Sequence, residues 1–233
     1  VEFLETIREH FEKEYPREGC GIISVVKGER KWFPCENIAE EDNHFIIDTK
    51  EYLRISRTSD ILAIVHSHPD QSSEPSELDI NNCNALGKQY YIFSYPEMDL
   101  TVVEPETTTT DLYGREYEFG VTDCFEATRD YLATKNIEIP PRAMFVDDYW
   151  DKDIDYFNEE TIAQWNHKPI SNLNEIKEND VLIFRIFSNL NNHCGVYLGN
   201  DIFYHHAQNR LSCRESLFPR WHKWLVGAYR HGT

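Results

Sequence analysis

Ile61-Leu62-Ala63-Ile64-Val65-His66-Ser67-His68-Pro69 runs through five apolar residues and closes on two histidines with one serine between them. A short apolar run of this kind reads as a strand buried on both faces. Residues two apart on a strand share a face, so His66 and His68 can aim at one ion. Ten residues separate His68 from Asp79, which falls in the first turn of a helix predicted over 76–86. Two imidazoles and a carboxylate suit Zn2+ held tetrahedrally with the fourth position open, the arrangement of a catalytic rather than a structural site. Water in that position has its pKa drawn towards about 7. Glu18, just ahead of the apolar run 20–26, is the candidate base for its proton. Each piece also has a plainer reading. A histidine pair at a strand end is ordinarily a surface feature, Ser76-Glu77-Leu78-Asp79 is also a helix capping box, and Glu18 reads equally as an exposed carboxylate.

Outward from this strand, Phe3, Leu4, Ile7, Phe11 and Tyr15 follow helical spacing and predict an opening helix that stops before Pro16. Residues 20–26 read as a strand, 50–57 as a helix, and 90–95 and 100–103 as further strands. Glu104-Pro105-Glu106-Thr107-Thr108-Thr109-Thr110-Asp111 then combines a proline with four threonines and lacks any large apolar side chain, which marks a domain boundary. The expected organisation is one domain over 1–104, a linker over 105–111 and a second domain over 112–233, each long enough for its own core. In the second, 124–133 reads as a helix, and 181–187, 193–198, 202–206 and 226–230 as strands. Residues 147–160 hold seven acidic residues and one lysine among aromatics and read more readily as a solvated insertion than as a substrate or partner surface.

Asp123-Cys124-Phe125 heads the helix over 124–133, so Cys124 lies in a first turn, where the helix dipole and a neighbouring imidazole lower a thiol pKa. His193 opens the strand 193–198. His205 follows twelve residues later, across the turn sequence Gly199-Asn200-Asp201. Such a hairpin can set His193 against Cys124 with His205 behind it, which gives a nucleophile, a base and an orienting group. His206 duplicates His205, and spacing and strand parity favour His205. By the same parity Cys194 should face away from the site. The plainer reading is a buried structural cysteine with unrelated histidines. A zinc site built from His193, Cys194, His206 and Cys213 fits no closed zinc spacing.

Glu18-Gly19-Cys20-Gly21, His66-Ser67-His68-Pro69 and Ser76-x-x-Asp79 together resemble the signature of the JAB/JAMM (MPN) metallopeptidases. The resemblance implies an α/β sandwich in which His66, His68 and Asp79 bind zinc, Glu18 is the general base and Ser76 hydrogen-bonds the developing oxyanion. It also implies cleavage of peptide or isopeptide bonds at the tails of ubiquitin-like proteins. Tyr117-x-Phe119-Gly120, Asp123-Cys124, His193-x-Gly195-Val196-Tyr197-Leu198-Gly199-Asn200 and Phe203-Tyr204-His205 resemble the NlpC-type cysteine peptidases. That resemblance implies a papain-like α+β domain with Cys124 as nucleophile, His193 as base, His205 as third residue and Tyr117 lining the substrate end. Its usual substrates are peptidoglycan stem peptides containing D-glutamate or diaminopimelate. A short loop between Gly120 and Asp123, and Phe125 in place of a small residue, depart from the pattern. The two domains in this order resemble the tail-tip assembly proteins of lambda-like phages.

The chain carries 23 Lys and Arg against 41 Asp and Glu. That balance argues against binding nucleic acid or anionic lipid, which needs a positive field. No apolar run is long enough to span a bilayer, and residues 1–10 do not read as a signal peptide. Six cysteines with no C-x-x-C pair read as reduced thiols of a protein made in a cytoplasm. Three functions compete. One is a two-site peptidase acting on peptidoglycan, present in the host cytoplasm during assembly and then at the virion tail tip beside other tail-tip proteins. The second is an assembly factor that processes or deconjugates a tail or ubiquitin-like protein. The third is a structural component with occluded sites.

Overall fold

The computed structural model describes residues 2–41, 44–106, 112–141 and 155–232. The chain divides into two compact units, Val1–Gly114 and Arg115–Thr233. Of the stretches singled out in the sequence, residues 107–111 of the linker and 147–154 of the acid-rich insertion lie outside the described residues.

Both units are α+β. The first comprises α1 (Leu4–Glu14), β1 (Cys20–Val26), β2 (Glu29–Cys35), α2 (Thr49–Thr58), β3 (Asp60–Pro69), α3 (Glu77–Leu86), β4 (Gln89–Tyr95) and β5 (Leu100–Val103). Its sheet has the order β2-β1-β3-β4-β5. Only β3 and β4 run parallel; the other neighbours are antiparallel. Ile7 and Phe11 of α1 pack with Ile23, Ala63, Val65 and Phe93 on one face. Ile55 of α2 and Cys83 of α3 pack with Cys20, Ile22, Ile64 and Ile92 on the other. Leu62 is left out of the pairing where Ile23 meets Ala63 and Ser24 meets Ile61, a bulge that places Ile61 and Ile64 in the same core. Beyond it His66 and His68 continue the Ile64 face, towards α3. Strand β2 escaped the pattern reading because it is a sheet edge: Glu29, Arg30, Lys31 and Pro34 belong where one side of the ladder meets no further strand.

The second unit comprises α4 (Cys124–Ala133), α5 (Glu159–Gln164), β6 (His167–Pro169), β7 (Val181–Phe184), β8 (His193–Gly199), β9 (Ile202–His205), β10 (Cys213–Ser216) and β11 (Leu225–His231), with a kinked helical segment over 217–224. The sheet is antiparallel throughout, in the order β10-β9-β8-β7-β11-β6. One face packs on α4 and α5 through Phe125, Leu132, Ile162, Ile183, Cys194 and Val196. The other packs Leu182, Phe184 and Phe203 against Leu217 and Trp221. The strand expected over 181–187 stops at Phe184, where Asn192 pairs its side-chain amide with both Ile186 N–H and Ile186 carbonyl. That exchange satisfies the backbone without a further ladder rung.

Candidate functional site

In the first unit, β3 carries His66 and His68 to its C-terminal end and α3 brings Asp79 up to them. Ser76 caps α3: its hydroxyl accepts from Asp79 N–H (3.1 Å) and donates to Asp79 Oδ2 (2.7 Å), and Ser76 N–H also donates to Oδ2 (2.8 Å). The capping box and the ligand set are therefore one arrangement, since the carboxylate that caps the helix is the one that faces the histidines. His66 Nε2 lies 3.2 Å from His68 Nε2 and 3.1 Å from Asp79 Oδ1, and His68 Nε2 lies 3.4 Å from Oδ2. Ligand atoms about 2.0–2.1 Å from a tetrahedral zinc stand roughly 3.3 Å apart, so the donor set fits that ion in number, chemistry and spacing. His68 Nδ1 meets the Ser72 carbonyl at 3.0 Å, which leaves its Nε2 lone pair for a ligand. His66 Nδ1 is buried without a hydrogen-bond partner among the described residues, and Phe45 stacks on its ring at 4.7 Å.

Glu18 stands just before β1, whose Cys20 is the register partner of His66. It is buried, and burial raises its carboxyl to about 7, opposed by His68 and reinforced by the Asp79 charge. Such a group is poised to exchange a proton near neutrality. Burial lowers the His66 pKa. It also opposes charge on His68, but there Asp79, the Ser72 carbonyl and Glu18 prevail and raise the pKa.

In the second unit, Asp123 caps α4 by accepting from Phe125 N–H (3.0 Å) and Glu126 N–H (3.2 Å) through Oδ1, and from Gly120 N–H (2.8 Å) through Oδ2. Cys124 occupies the first turn. His193 begins β8, and its Nε2 is 2.9 Å from His205 Nδ1. The other ring nitrogen, Nδ1, is left without that partner, and His193 lines the same cavity as Cys124. Gly195 makes this contact feasible. It pairs with His205 across the ladder, and a Cβ there would stand 2.6 Å from the Tyr204 carbonyl and 3.1 Å from His205 Cβ. Trp221 stacks on His193 (5.5 Å, 28°) and meets His205 edge-on (4.5 Å). His206 turns the other way, against Tyr117 at 5.2 Å, with Nε2 on the Arg210 carbonyl. A cavity of about 460 Å³ lined by Tyr117, Cys124, His193, Arg210, Arg220 and Trp221 opens over the thiol.

The Cys124 thiol is drawn down to about 6. The largest cause is a hydrogen bond from Cys194, which with the hydrogen bond and charge of His193 overcomes burial. For His193, burial lowers the pKa and the contact with Cys124 works against it.

The Prok-JAB family model, prokaryotic homologs of the JAB domain, matches residues 1–110, and the NlpC/P60 family model matches residues 114–230. Tail tip assembly protein K of Escherichia phage N15 is 30% identical over 233 residues, spanning 98% of this chain and 93% of that protein. The chain belongs to the tail tip assembly protein K family. The protein of the same name from Escherichia phage lambda is 27% identical over 183 residues, 78% of this chain and 87% of that one. A JAB1/MPN domain protein from Archaeoglobus fulgidus is 26% identical, covering 44% of this chain and 82% of that structure, with a TM-score of 0.30.

Within this tail tip assembly protein K relative, one expectation is overturned. Cys194 does not face away from the site. Strand parity holds, since Cys194 lies in the α4 core and His193 against Phe184 and Trp221. Cys124, however, packs in the same buried cluster as Cys194 and lines a cavity together with His193. Cys194 also meets Thr128 Oγ1 at 3.4 Å. The residues of the set His193, Cys194, His206 and Cys213 form no common ligand cluster among the described residues. Two residues of the centre went unread in the sequence: Trp221, and Glu215, whose Oε2 lies 3.2 Å from His205 Nε2.

Proposed function

We propose that the chain is a two-centre hydrolase of the phage tail tip, with a thiol peptidase in the second unit and a zinc-dependent peptidase in the first. The observation that carries this reading is the 460 Å³ cavity lined by both Cys124 and His193, with His205 Nδ1 behind His193 Nε2 at 2.9 Å. Cys124 Sγ attacks the scissile carbonyl carbon, and His193 Nδ1 holds the thiol proton and passes it to the departing amine. Water then cleaves the resulting thioester as His193 takes its proton. The Cys124 N–H, at the positive end of α4 and beside the donors already taken by Asp123, faces the developing oxyanion. Arg210 and Arg220 in the cavity wall, in a chain of net charge −18, suit a substrate that carries carboxylates. Peptidoglycan stem peptides have that character.

In the first unit His66, His68 and Asp79 hold zinc. When bound, the ion supplies Lewis-acid polarisation of the scissile carbonyl. Glu18 accepts the proton of the attacking water and returns it to the leaving amine. Ser76 orients Asp79 and, by turning its hydroxyl, donates to the oxyanion. The bond cut is a peptide or isopeptide bond of a tail or ubiquitin-like protein. Among the described residues no helix is long and apolar enough to cross a membrane. The chain acts in the host cytoplasm during assembly and at the tail tip, with other tail-tip proteins as partners.

Zymography on purified peptidoglycan tests the leading activity. Clearing by the native chain and by Glu18→Ala, lost in Cys124→Ala, supports the assignment. Clearing that survives Cys124→Ala, or none from the native chain, rules it out.

A further inference from the structure

We infer that Glu215 is a positioning residue of the thiol centre, fixing the proton of His205 so that His193 presents a bare Nδ1 to Cys124. The inference rests on Cys124 and His193 acting as nucleophile and base. A neutral imidazole has one N–H and one acceptor nitrogen. His205 is fully buried between His193 Nε2 at its Nδ1 (2.9 Å) and Glu215 Oε2 at its Nε2 (3.2 Å). An ionised carboxylate only accepts, so the proton of His205 must sit on Nε2. Nδ1 then accepts, His193 must donate from Nε2, and His193 Nδ1 is left as the base. Without the carboxylate the two imidazoles can reverse: His205 donates from Nδ1, and His193 turns an N–H towards the thiol.

Glu215 is held for this task. Against burial, His205 and then Arg210 draw its carboxyl down to about 2, so it is ionised wherever the thiol reacts. Arg210 Nη1 (3.0 Å) and Trp221 Nε1 (3.1 Å) both reach the same Oε2. Strand β10 aims it, because Glu215 pairs with Phe203 and Cys213 with His205, setting both side chains on the His205 face. The ligand atoms of His205, Cys213 and Glu215 also lie within 4.8 Å of one another. A guanidinium and an indole N–H on the carboxylate oxygen disfavour a cation there, and favour a proton network. The charges around His205 are Glu215, Arg210 and, more distantly, His206.

The test is the pH profile of Cys124 alkylation by iodoacetamide in the full chain, read site by site by mass spectrometry. Glu215→Gln should move the profile to higher pH by roughly one unit, about fivefold slower at pH 6, and converge with the native profile by pH 9. In a His205→Asn background Glu215→Gln should have no further effect. The other five cysteines are buried, so their protection shows that the variant is folded. Should all six react alike in Glu215→Gln, Glu215→Asp takes its place with a smaller shift of the same sign. A folded Glu215→Gln or Glu215→Asp that superposes on the native profile overturns the inference, as does an undiminished effect without His205. Failure of the underlying reading looks different: native Cys124 reacts no faster than the other thiols, or is indifferent to His193→Ala.

Discussion

The centre of the first unit gathers acceptors, whereas that of the second alternates donors with acceptors. Around His66, His68 and Asp79, ring nitrogens and carboxylate oxygens converge to 3.1–3.4 Å. Such a cluster could hold a metal ion. From Cys194 through Cys124, His193 and His205 to Glu215, each group has a partner of the opposite kind. On the proposed reading that run moves protons. The thiols show the same contrast. Cys35 in the first unit is pushed up to about 12 by burial, while the equally enclosed Cys124 is drawn down to about 6 by its neighbours. Burial silences a thiol unless hydrogen-bond donors face it.

The largest effect should follow from removing the cation. Elemental analysis should find one zinc per native chain and almost none in His66→Ala/His68→Ala. Chelation should lower the melting temperature of the native chain and leave the double variant unmoved. A metal-free native chain, or equal metal in the variant, would break the contrast at its root. Next in size is the nucleophile. Cys124→Ala should cost thiol-dependent hydrolysis roughly 10⁴-fold or more while leaving zinc content unchanged, and a zinc loss here would mean that the centres are not independent. Glu18→Gln comes third: metal-dependent hydrolysis should fall roughly 10²- to 10⁴-fold with zinc still bound. Loss of zinc in that variant would make Glu18 a ligand and not a base.

The smallest effect sharpens the comparison most. Cys194 stabilises the Cys124 thiolate, so Cys194→Ala should raise the Cys124 pKa above about 6. Because the thiolate is the reactive form, alkylation at pH 6 should slow by about threefold to tenfold and recover above pH 8. Cys194→Ser, which keeps a donor, should stay nearer the native rate. An unchanged rate in Cys194→Ala would leave His193 as the main source of the shift.

The strands that carry the candidate residues were legible because their inward positions are apolar: residues 20–26 and 100–103 match β1 and β5 to the residue, and 124–133 matches α4. The strands that were missed break that rule for physical reasons. Edge strand β2 is charged where it meets water. In β10 the buried positions are Cys213 and Glu215 and the outward ones Arg214 and Ser216, so a buried carboxylate erases the alternation that would have revealed the strand. The expectation for Cys194 rested on strand parity, which holds, but Cys124 packs in the cluster on the Cys194 side and also lines a cavity with His193. The sequence pattern locates side chains on faces; which faces a neighbouring helix terminus can reach is a tertiary fact.

Trp221 gives the second centre an optical voice. Its indole lies flat on His193, edge-on to His205, and donates to Glu215, so every charge that shifts along the relay shifts beside one chromophore. Protonated imidazole quenches indole emission, and loss of the carboxylate frees the indole N–H. The fluorescence of this residue therefore follows the state of the centre in the absence of any substrate, and a chain silent towards every wall fragment offered would still declare whether its relay is assembled.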